Sequence, residues 1–469
     1  MKTSSRLKKL VALLALAGGA VAFLAAQQSG NVRIDISGAG GKGVMAIPDI
    51  RASGDAQRFM GTLNTTLWNE VDQSGLFRMV PKTSYPLVVP QQPQDFKGVQ
   101  PPQQPAPRRG QAAPAAAPGP WLSEWSGPPV NATYLAFGYG GVRDGQLVLF
   151  GYLFDVSRND LGSASVLSKV YIGSLDDAGA RKVAQDFAAD ILKTFGGTSL
   201  AGTKIVFVST RTGNKEIWSM DYDGSNQKQL TFYKSISTMP SVSPDGTKVA
   251  FTSFYKGQPE ILIHSLETGR RIPFYNQAAS MNAQLDFFPD GKSVVFSSTA
   301  AGGYAQIYRA NINGGGIQRL TNIRAVEVEP KVNPRTGADI VFVSGRSGPQ
   351  QIYRMNSEGA DIVRLTTGEG EASNPAWAPD GQHIAFAWTR GFEPGNFNIF
   401  IMDVAARTYV QLTHGMGRNE NPTWAPDGAH IVFSSRRGSL TQIYTMRADG
   451  TQIKPLTTQG NNLMPVWSK

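Results

Sequence analysis

Cysteine is absent from all 469 residues, which excludes disulfide bonds, thiolate metal sites and cysteine nucleophilic catalysis. Only 4 histidines are present, and their spacing does not fit a zinc site. The sequence has no Lys/Arg run of the kind that binds nucleic acid. It also has no Gly-x-Ser-x-Gly nucleophile elbow followed by Asp and His. We therefore expect no metal, no cofactor, no catalytic residue and no nucleic-acid ligand.

Long apolar runs are missing except near the first residue. The run from Leu10 to Ala26 is rich in Ala and Gly and follows a basic stretch, which is the pattern of a secretory signal peptide. A membrane anchor is the alternative, but the run is short and weakly apolar for a span. We interpret residues 1–26 as a removable signal peptide and expect an exported protein with no stable membrane insertion.

A twelve-residue pattern recurs in the second half of the sequence. Its clear copies are PSVSPDGTKVAF at 240–251, PAWAPDGQHIAF at 375–386 and PTWAPDGAHIVF at 422–433, with weaker copies at 285–296 and 330–342. A repeat of about 45 residues is typical of the four-stranded blades of a β-propeller. Within each copy, Pro-Asp-Gly predicts a tight turn between two strands, because Pro fixes φ and Gly accepts a positive φ.

Six third-strand segments predict six blades over residues 198–469. They occur at 216–220, 260–264, 306–310, 351–355, 398–402 and 442–446. The final PVWSK at 465–469 is half a copy, and the missing half, LAGTKIVF, occurs at 200–207. We predict that the last strand closes the ring as the innermost strand of the blade built from residues 203–231, which removes the exposed edges of an open array.

A small α/β domain is predicted at 43–197. Hydrophobic periodicity indicates helices at 54–73 and 177–195, with strands at 44–50, 74–80, 133–140, 146–156 and 164–172. A Pro- and Gln-rich stretch at about 90–119 interrupts this domain. Such a composition buries too little to offset its ordering entropy, so we predict a disordered insertion.

Residues 27–42 form a candidate N-terminal arm. NVRIDI at 31–36 alternates apolar and polar residues, and glycines follow it. A short strand on a flexible tether can add to the sheet of another protein. The alternative is an ordinary first strand of the α/β domain.

The loops that lead from each outer strand to the next inner strand should gather at one mouth of the propeller channel. They carry Glu327, Glu329, Glu369, Glu371 and Glu420 against Lys234, Arg324 and Arg418. This count predicts an acidic mouth, which is either a partner surface or a set of solvated loops. His383 and His430 occupy the same slot of two repeats, so we interpret them as scaffold positions.

The order of these parts resembles the TolB family of periplasmic Tol-Pal proteins, as do NVRIDI at 31–36, SGLFRMV at 74–80 and MDYDGSNQKQLT at 220–231. The resemblance implies a non-enzymatic protein that binds the lipoprotein Pal through the propeller and TolA through the arm. It also implies a role in outer-membrane integrity and in constriction during cell division. The long insertion and the altered turn at 334–337 depart from the family pattern.

Carried onto this sequence, the resemblance implies two sets of partner-binding residues. The TolA-type arm would be Asn31, Val32, Arg33, Ile34, Asp35 and Ile36. The Pal-type mouth would use Met281, Asn282, Glu327, Glu329, Glu371, Asn374, Glu420 and Asn421. We expect a monomer. The alternatives are a propeller that binds glycan or peptidoglycan directly, which exposed aromatic residues at the mouth would favour, and a hydrolase- or lactonase-type propeller enzyme.

Overall fold

The structure is a computed structural model that describes residues 43–101, 119–390 and 395–468. The chain divides into two compact units, one spanning 35–201 and the other containing 202–469. Across the described residues, no helix has the length and apolar character needed to cross a membrane.

The N-terminal unit is a mixed sheet with two long helices. The strand order is β3-β1-β4-β5-β6, and β2 pairs with β4. The strands are Gly43–Ala46 (β1), Arg51–Ala52 (β2), Phe77–Met79 (β3), Tyr134–Arg143 (β4), Gln146–Asp155 (β5) and Ser165–Ser174 (β6). The α-helices are Met60–Ser74 (α1), Ser123–Ser126 (α2), Leu161–Ala164 (α3) and Asp177–Thr194 (α4), with 3-10 turns at Gly54–Phe59, Lys82–Ser84 and Pro93–Asp95.

Both faces of this sheet carry apolar residues. The long helices α1 and α4 pack on one face, where Leu67 and Phe187 are fully buried. Helix α1 ends where Gly75 adopts φ 67°, the left-handed conformation that glycine takes without a steric cost. On the other face, Trp125 and Phe137 belong to a second apolar cluster.

The predicted disordered insertion is corrected over its first part. Residues 90–101 are placed in the structure, and Phe96 packs against Phe137 and Phe154 with ring centroids 5.7 Å apart in each case. Burial of this aromatic ring stabilises a stretch that its proline content had marked as disordered. Residues 102–118 lie outside the described residues.

The C-terminal unit contains six four-stranded antiparallel sheets, which are the six predicted blades. From the channel outward, blade 1 consists of Asn462–Ser468 (β30), Lys204–Thr212 (β7), Asn214–Asp221 (β8) and Lys228–Gln229 (β9). Blade 2 is Ser237–Val242 (β10), Lys248–Ser253 (β11), Glu260–Ser265 (β12) and Arg271–Ile272 (β13), and blade 3 is Asn282–Phe287 (β14), Ser293–Ser298 (β15), Gln306–Asn311 (β16) and Gln318–Arg319 (β17).

The remaining blades follow the same order. Blade 4 is Glu327–Val332 (β18), Asp339–Ser344 (β19), Gln351–Asn356 (β20) and Val363–Arg364 (β21). Blade 5 is Ala372–Trp377 (β22), His383–Trp388 (β23), Asn398–Asp403 (β24) and Tyr409–Gln411 (β25). Blade 6 is Arg418–Trp424 (β26), His430–Arg436 (β27), Thr441–Arg447 (β28) and Lys454–Pro455 (β29).

The turns of the repeat have the predicted chemistry. Oδ1 of Asp427 accepts a 2.8 Å hydrogen bond from the main-chain N–H of Ala429, and Gly428 has φ 67°. In the altered turn of blade 4, Oγ1 of Thr336 accepts the equivalent hydrogen bond from the N–H of Ala338 at 3.2 Å. A threonine hydroxyl therefore takes the role of the missing aspartate.

The outermost strands are only two or three residues long, and in five blades a threonine follows two residues after the strand ends. Oγ1 of Thr231 accepts a 2.8 Å hydrogen bond from the N–H of Ile217 on the third strand. The equivalent threonines of four other blades bond in the same way: Thr321, Thr366, Thr413 and Thr457. A side-chain oxygen thus continues the ladder where backbone pairing stops.

Pairing of the last strand with the first confirms the predicted closure. Strand β30 lies antiparallel to β7, with Trp467 opposite Ile205. One phenylalanine in the second strand of every blade is fully buried: Phe207, Phe251, Phe296, Phe342, Phe386 and Phe433. The chain therefore has the predicted architecture, an N-terminal α/β unit followed by a six-bladed propeller closed by its final strand.

Candidate functional site: the mouth and channel of the propeller

Two sets of loops meet at one end of the propeller, here called the mouth. The first set joins each outer strand to the next inner strand, and the second joins the second and third strands of each blade. The main-chain N–H of Phe254 donates to the carbonyl of Ile236 at 2.9 Å, and that of Thr389 donates to Glu371 at 3.0 Å. The predicted acidic mouth rested on residues of the first set alone.

Each innermost strand contains a bulge that turns one residue towards the channel. In β18, for example, the pairing register shifts between Val328 and Lys331, and Glu329 between them has φ 54°. The six equivalent residues, here called the channel ring, are Met239, Gln284, Glu329, Asn374, Asn421 and Met464, with φ between 50° and 58°. A positive φ is uncommon outside glycine. Because it recurs in all six blades, the bulge is a regular structural feature of the blade and not a local irregularity. All six residues line one cavity on the channel axis.

Four polar members of the channel ring are linked from blade to blade. The N–H of Glu329 donates to Oε1 of Gln284 at 3.2 Å. The N–H of Asn374 donates to Oε2 of Glu329 at 2.7 Å, and the N–H of Asn421 donates to Oδ1 of Asn374 at 3.3 Å. The side chains of Gln284, Glu329 and Asn374 therefore each satisfy the backbone of the next blade. The two methionines complete the ring with apolar surface, so the channel has a polar side and an apolar side.

Glu329 is the single carboxylate of the channel ring. Burial raises the pKa of Glu329 above its usual value, and nearby Glu420 acts in the same direction. The N–H bonds from Asn374 and the charge of Lys331 oppose that rise in pKa. The channel is thus a place where a partially desolvated carboxylate accepts hydrogen bonds.

Two residues predicted at the mouth are buried inside it. Asn282 is 3% exposed and donates to the carbonyl of Gln277 at 2.8 Å. Glu327 is 0% exposed and forms an ion pair with Arg346 at 2.6 Å. Burial raises the pKa of Glu327, while the bonds from Arg346 and Ser344 lower it. In this conformation neither side chain reaches the mouth surface.

The other predicted mouth residues are accessible to different degrees. Asn374 and Asn421 belong to the channel ring, as does Glu329. Met281 is half-buried and Glu371 is exposed. Glu420 receives two hydrogen bonds from Arg418, at 2.6 and 2.9 Å, which also raise the pKa of Arg418.

The prediction of an acidic mouth is wrong once both sets of loops are counted. Arg346 neutralises Glu327, and Arg418 neutralises Glu420. The loops between second and third strands add Arg211, Arg390, Arg436 and Arg437. The sequence count missed these arginines because it left out the loops in which they lie.

The repeated histidine slot behaves as scaffold. Nδ1 of His383 lies 2.6 Å from Oδ2 of Asp380, and Nδ1 of His430 lies 2.6 Å from Oδ2 of Asp427. Both aspartates belong to the Pro-Asp-Gly turns. Over residues 43–101, 119–390 and 395–468, no group of three or more His, Cys, Asp or Glu side chains is arranged to hold a metal ion.

The channel ring contains residues that the sequence analysis did not select. Gln284 was missed, and Met239 and Met464 were not assigned to the site. Their positions at whole-repeat intervals from Glu329 and Asn374 would have identified them, because equivalent repeat positions face the same axis. The arm residues Asn31, Val32, Arg33, Ile34, Asp35 and Ile36 lie outside the described residues.

A closed six-bladed propeller with a side-chain-lined channel and a preceding α/β unit defines the structural class of this protein. The sequence model of the TolB beta propeller domain matches residues 191–390 and 367–469. The chain therefore belongs to the TolB β-propeller family.

Named relatives agree with this assignment. Over 218 residues the chain is 33% identical to the Protein TolB homolog of Chlorobium chlorochromatii, covering 46% of this chain and 47% of the relative. It is 33% identical over 193 residues to the Tol-Pal system protein TolB of Desulfosudis oleivorans, covering 41% and 42%. The matched stretch thus spans less than half the length of these relatives.

One solved structure covers almost the whole chain. The crystal structure of TolB from Acinetobacter baumannii superposes with a TM-score of 0.69 at 21% identity, covering 92% of this chain and 97% of that one. At this level of identity the likeness establishes the shared fold.

Proposed function

We propose that this TolB-type protein is a periplasmic component of a Tol-Pal system, that it has no enzymatic activity and that it acts by binding other proteins. In this proposal the mouth of the propeller binds the lipoprotein Pal. The N-terminal arm, residues 31–36, binds TolA. Through these contacts the protein supports outer-membrane integrity and constriction during cell division.

The channel ring is the observation that carries the proposal. Six side chains of four residue types stand on one repeated backbone conformation and line a single cavity. A rigid scaffold that presents varied side chains is suited to recognition. The ring's lone carboxylate accepts hydrogen bonds from Asn374, which suits a structural and binding role.

Binding to Pal is tested with purified protein. The chain without residues 1–26 is titrated with the soluble domain of the Pal lipoprotein from the same bacterium in a calorimeter. We expect saturable one-to-one binding in the micromolar range or tighter. Folded protein that gives no heat at about 100 μM of both partners would contradict the proposal.

The arm is tested separately, because the proposal assigns it a different partner. Removal of residues 27–36 should abolish binding to the soluble domain of TolA and leave the affinity for Pal within about threefold. Substitution of Val32, Ile34 and Ile36 by Ser gives a second variant of unchanged length. Equal loss of both partners in these variants would refute this division of roles.

Direct glycan binding is a second candidate, favoured by exposed aromatic rings. In the loops of the mouth, Phe232 is 72% exposed and Tyr304 is 51% exposed. Stacking on sugar rings would use such surfaces. Sedimentation of the purified protein with isolated peptidoglycan, with and without Phe232→Ser, decides between glycan and protein ligands.

A further inference from the structure

The sector of the mouth over blades 6, 1 and 2 forms one continuous surface. Asn461 connects two of its loops. The carbonyl of Asn461 accepts from the N–H of Thr210 at 3.0 Å, and its Oδ1 accepts from the N–H of Thr441 at 2.9 Å. The N–H of Lys234 donates to Oε1 of Glu216 at 2.7 Å, so the loop at 232–236 is held beside the same blade.

This sector carries exposed positive charge. Lys215, Lys234, Arg436 and Arg437 are all exposed. No ion pair to any of the four is formed within the described part of the chain. The loops at 210–215, 232–236, 436–441 and 458–461 contain no Asp or Glu. The neighbouring Glu216 is only 2% exposed and is occupied by Thr231 and the N–H of Lys234.

A comparison of equivalent arginines in two blades shows why Arg437 has no ion-pair partner. In blade 4, Arg346 occupies the second-to-third-strand loop and is paired with Glu327. In blade 6, Arg437 occupies the same slot and lies over the ring of Tyr444 at 4.0 Å, as Arg346 lies over Tyr353 at 4.9 Å. The position of Glu327 is taken there by the uncharged Asn419, and Arg437 instead contacts Sδ of Met416 at 3.5 Å. A stacked guanidinium keeps its charge and a fixed orientation. Arg437 is therefore preorganised for an external carboxylate.

Large apolar side chains lie among these cations. Phe232 is 72% exposed, Ile236 is 43% exposed and Leu440 is 44% exposed. The apolar side of the channel ring faces the same sector, where Oγ1 of Thr238 contacts Sδ of Met464 at 3.2 Å. Exposed apolar groups rimmed by charge are typical of protein–protein interfaces.

We propose that this basic sector, defined as Lys215, Lys234, Arg436 and Arg437 together with Phe232, Ile236 and Leu440, binds an acidic and apolar segment of the partner protein. Carboxylates of the segment lie over the cations, and an apolar side chain packs between them towards the channel methionines. The inference rests on the proposed function, because it names the chemistry of the partner segment that the mouth recognises. It also predicts that the partner segment contacts the mouth mainly over blades 6, 1 and 2.

The test compares two charge reversals of equal size. The double variant Lys215→Glu/Arg436→Glu changes the basic sector at side chains without ion pairs, so folding should be preserved. The control, Arg270→Glu/Lys292→Glu, makes the same change at exposed turns on the opposite end of the propeller. Binding of the soluble Pal domain is measured by calorimetry at about 50 mM and 500 mM salt, and melting temperatures verify the fold.

We expect the basic-sector variant to bind at least about tenfold more weakly at low salt, with a smaller difference at high salt. The control should stay within about threefold of the wild type. A third variant, Phe232→Ser/Leu440→Ser, should weaken binding at both salt concentrations, because its effect is apolar. Wild-type binding with an unaffected basic-sector variant overturns the inference and leaves the proposed function standing. Absence of wild-type binding overturns the proposed function itself.

Discussion

The indole Nε1 of Trp467 donates a 2.9 Å hydrogen bond to Oγ1 of Thr203, and both groups are buried. Trp467 lies on the last strand of the propeller, and Thr203 immediately precedes the first. Together with the pairing of β30 and β7, this bond makes ring closure depend on a few residues at one end of the domain.

Trp467→Ala should therefore destabilise the whole propeller. A buried Trp→Ala substitution costs about 3–5 kcal/mol, which corresponds to a fall in melting temperature of roughly 10 °C for a domain of this size. Trp467→Phe keeps most of the apolar contact and loses the hydrogen bond, so about 1 kcal/mol should be lost. Thermal unfolding measures both values. Truncation after Leu463 with an unchanged melting temperature would contradict closure by the last strand.

Glu329→Gln should stabilise the protein at neutral and alkaline pH. The folded pKa of Glu329 is raised by burial, so its contribution to stability is fully present below the unfolded value of 4.5 and is lost as pH rises through the folded pKa. Gln keeps the acceptor for the N–H of Asn374 without the buried charge. We expect a melting temperature about 2–4 °C above wild type at pH 8, and no difference near pH 4.

Glu329→Ala is the matched variant for the same position. It also removes the charge, but it leaves the N–H of Asn374 without its 2.7 Å acceptor. We expect a loss of about 1–2 kcal/mol relative to Gln. Equal melting temperatures of the Ala and Gln variants would show that the blade-to-blade bond contributes nothing.

Arg346→Ala should cost much more stability than a surface arginine. It leaves the fully buried Glu327 without its ion partner, which typically costs about 3–5 kcal/mol. The double variant Arg346→Ala/Glu327→Ala should recover part of that loss, as urea titration can measure. Arg324→Ala, at an exposed mouth position, is the control and should change stability by less than about 0.5 kcal/mol.

The His383–Asp380 pair should stabilise the propeller in mildly acidic solution. The hydrogen bond to Asp380 raises the pKa of His383 above 6.5, so its contribution is full below pH 6.5 and is lost as pH rises through the folded value. The pKa of Asp380 is lowered, so the contribution is also lost when Asp380 protonates in strong acid. His383→Gln should lower the melting temperature by about 1–2 °C at pH 5.5 and by less at pH 8.5.

His264 provides a comparison of opposite sign. Burial lowers the pKa of His264 below 6.5, so the folded protein favours its neutral form. The destabilisation caused by His264→Gln should therefore grow as pH rises, whereas that of His383→Gln shrinks. An effect of His264→Gln that shrinks as pH rises would refute the first assignment, and an effect of His383→Gln that grows would refute the second.

Most of the fold could be predicted because it repeats. Pro-Asp-Gly turns and alternating strands specify four of the six blades locally, and the half-copy at 465–469 specified the closure. The insertion at 90–101 was less predictable, because its order depends on Phe96 contacting Phe137 and Phe154. Phe137 and Phe154 lie in strands that are distant from Phe96 in the sequence, so the composition of the insertion cannot predict this contact.

The site was harder to predict than the fold because charges at the mouth act in pairs. Glu327 looks like a surface carboxylate in its own loop, and only the structure places Arg346 against it. The bulge that turns Glu329 into the channel likewise follows from strand register. A residue preceding proline is expected to be extended, so the left-handed φ at Glu329 contradicts its local sequence preference.

The shared φ of the channel ring has a consequence for how such proteins diverge. Because all six positions have the same backbone conformation, the backbone itself does not favour a different side chain at any one of them. Around the axis the ring contains Met, Met, Gln, Glu, Asn and Asn, an order that single substitutions can change without remodelling a loop. Ligand preference in the channel can therefore change one blade at a time, while the strands that support it remain unaltered.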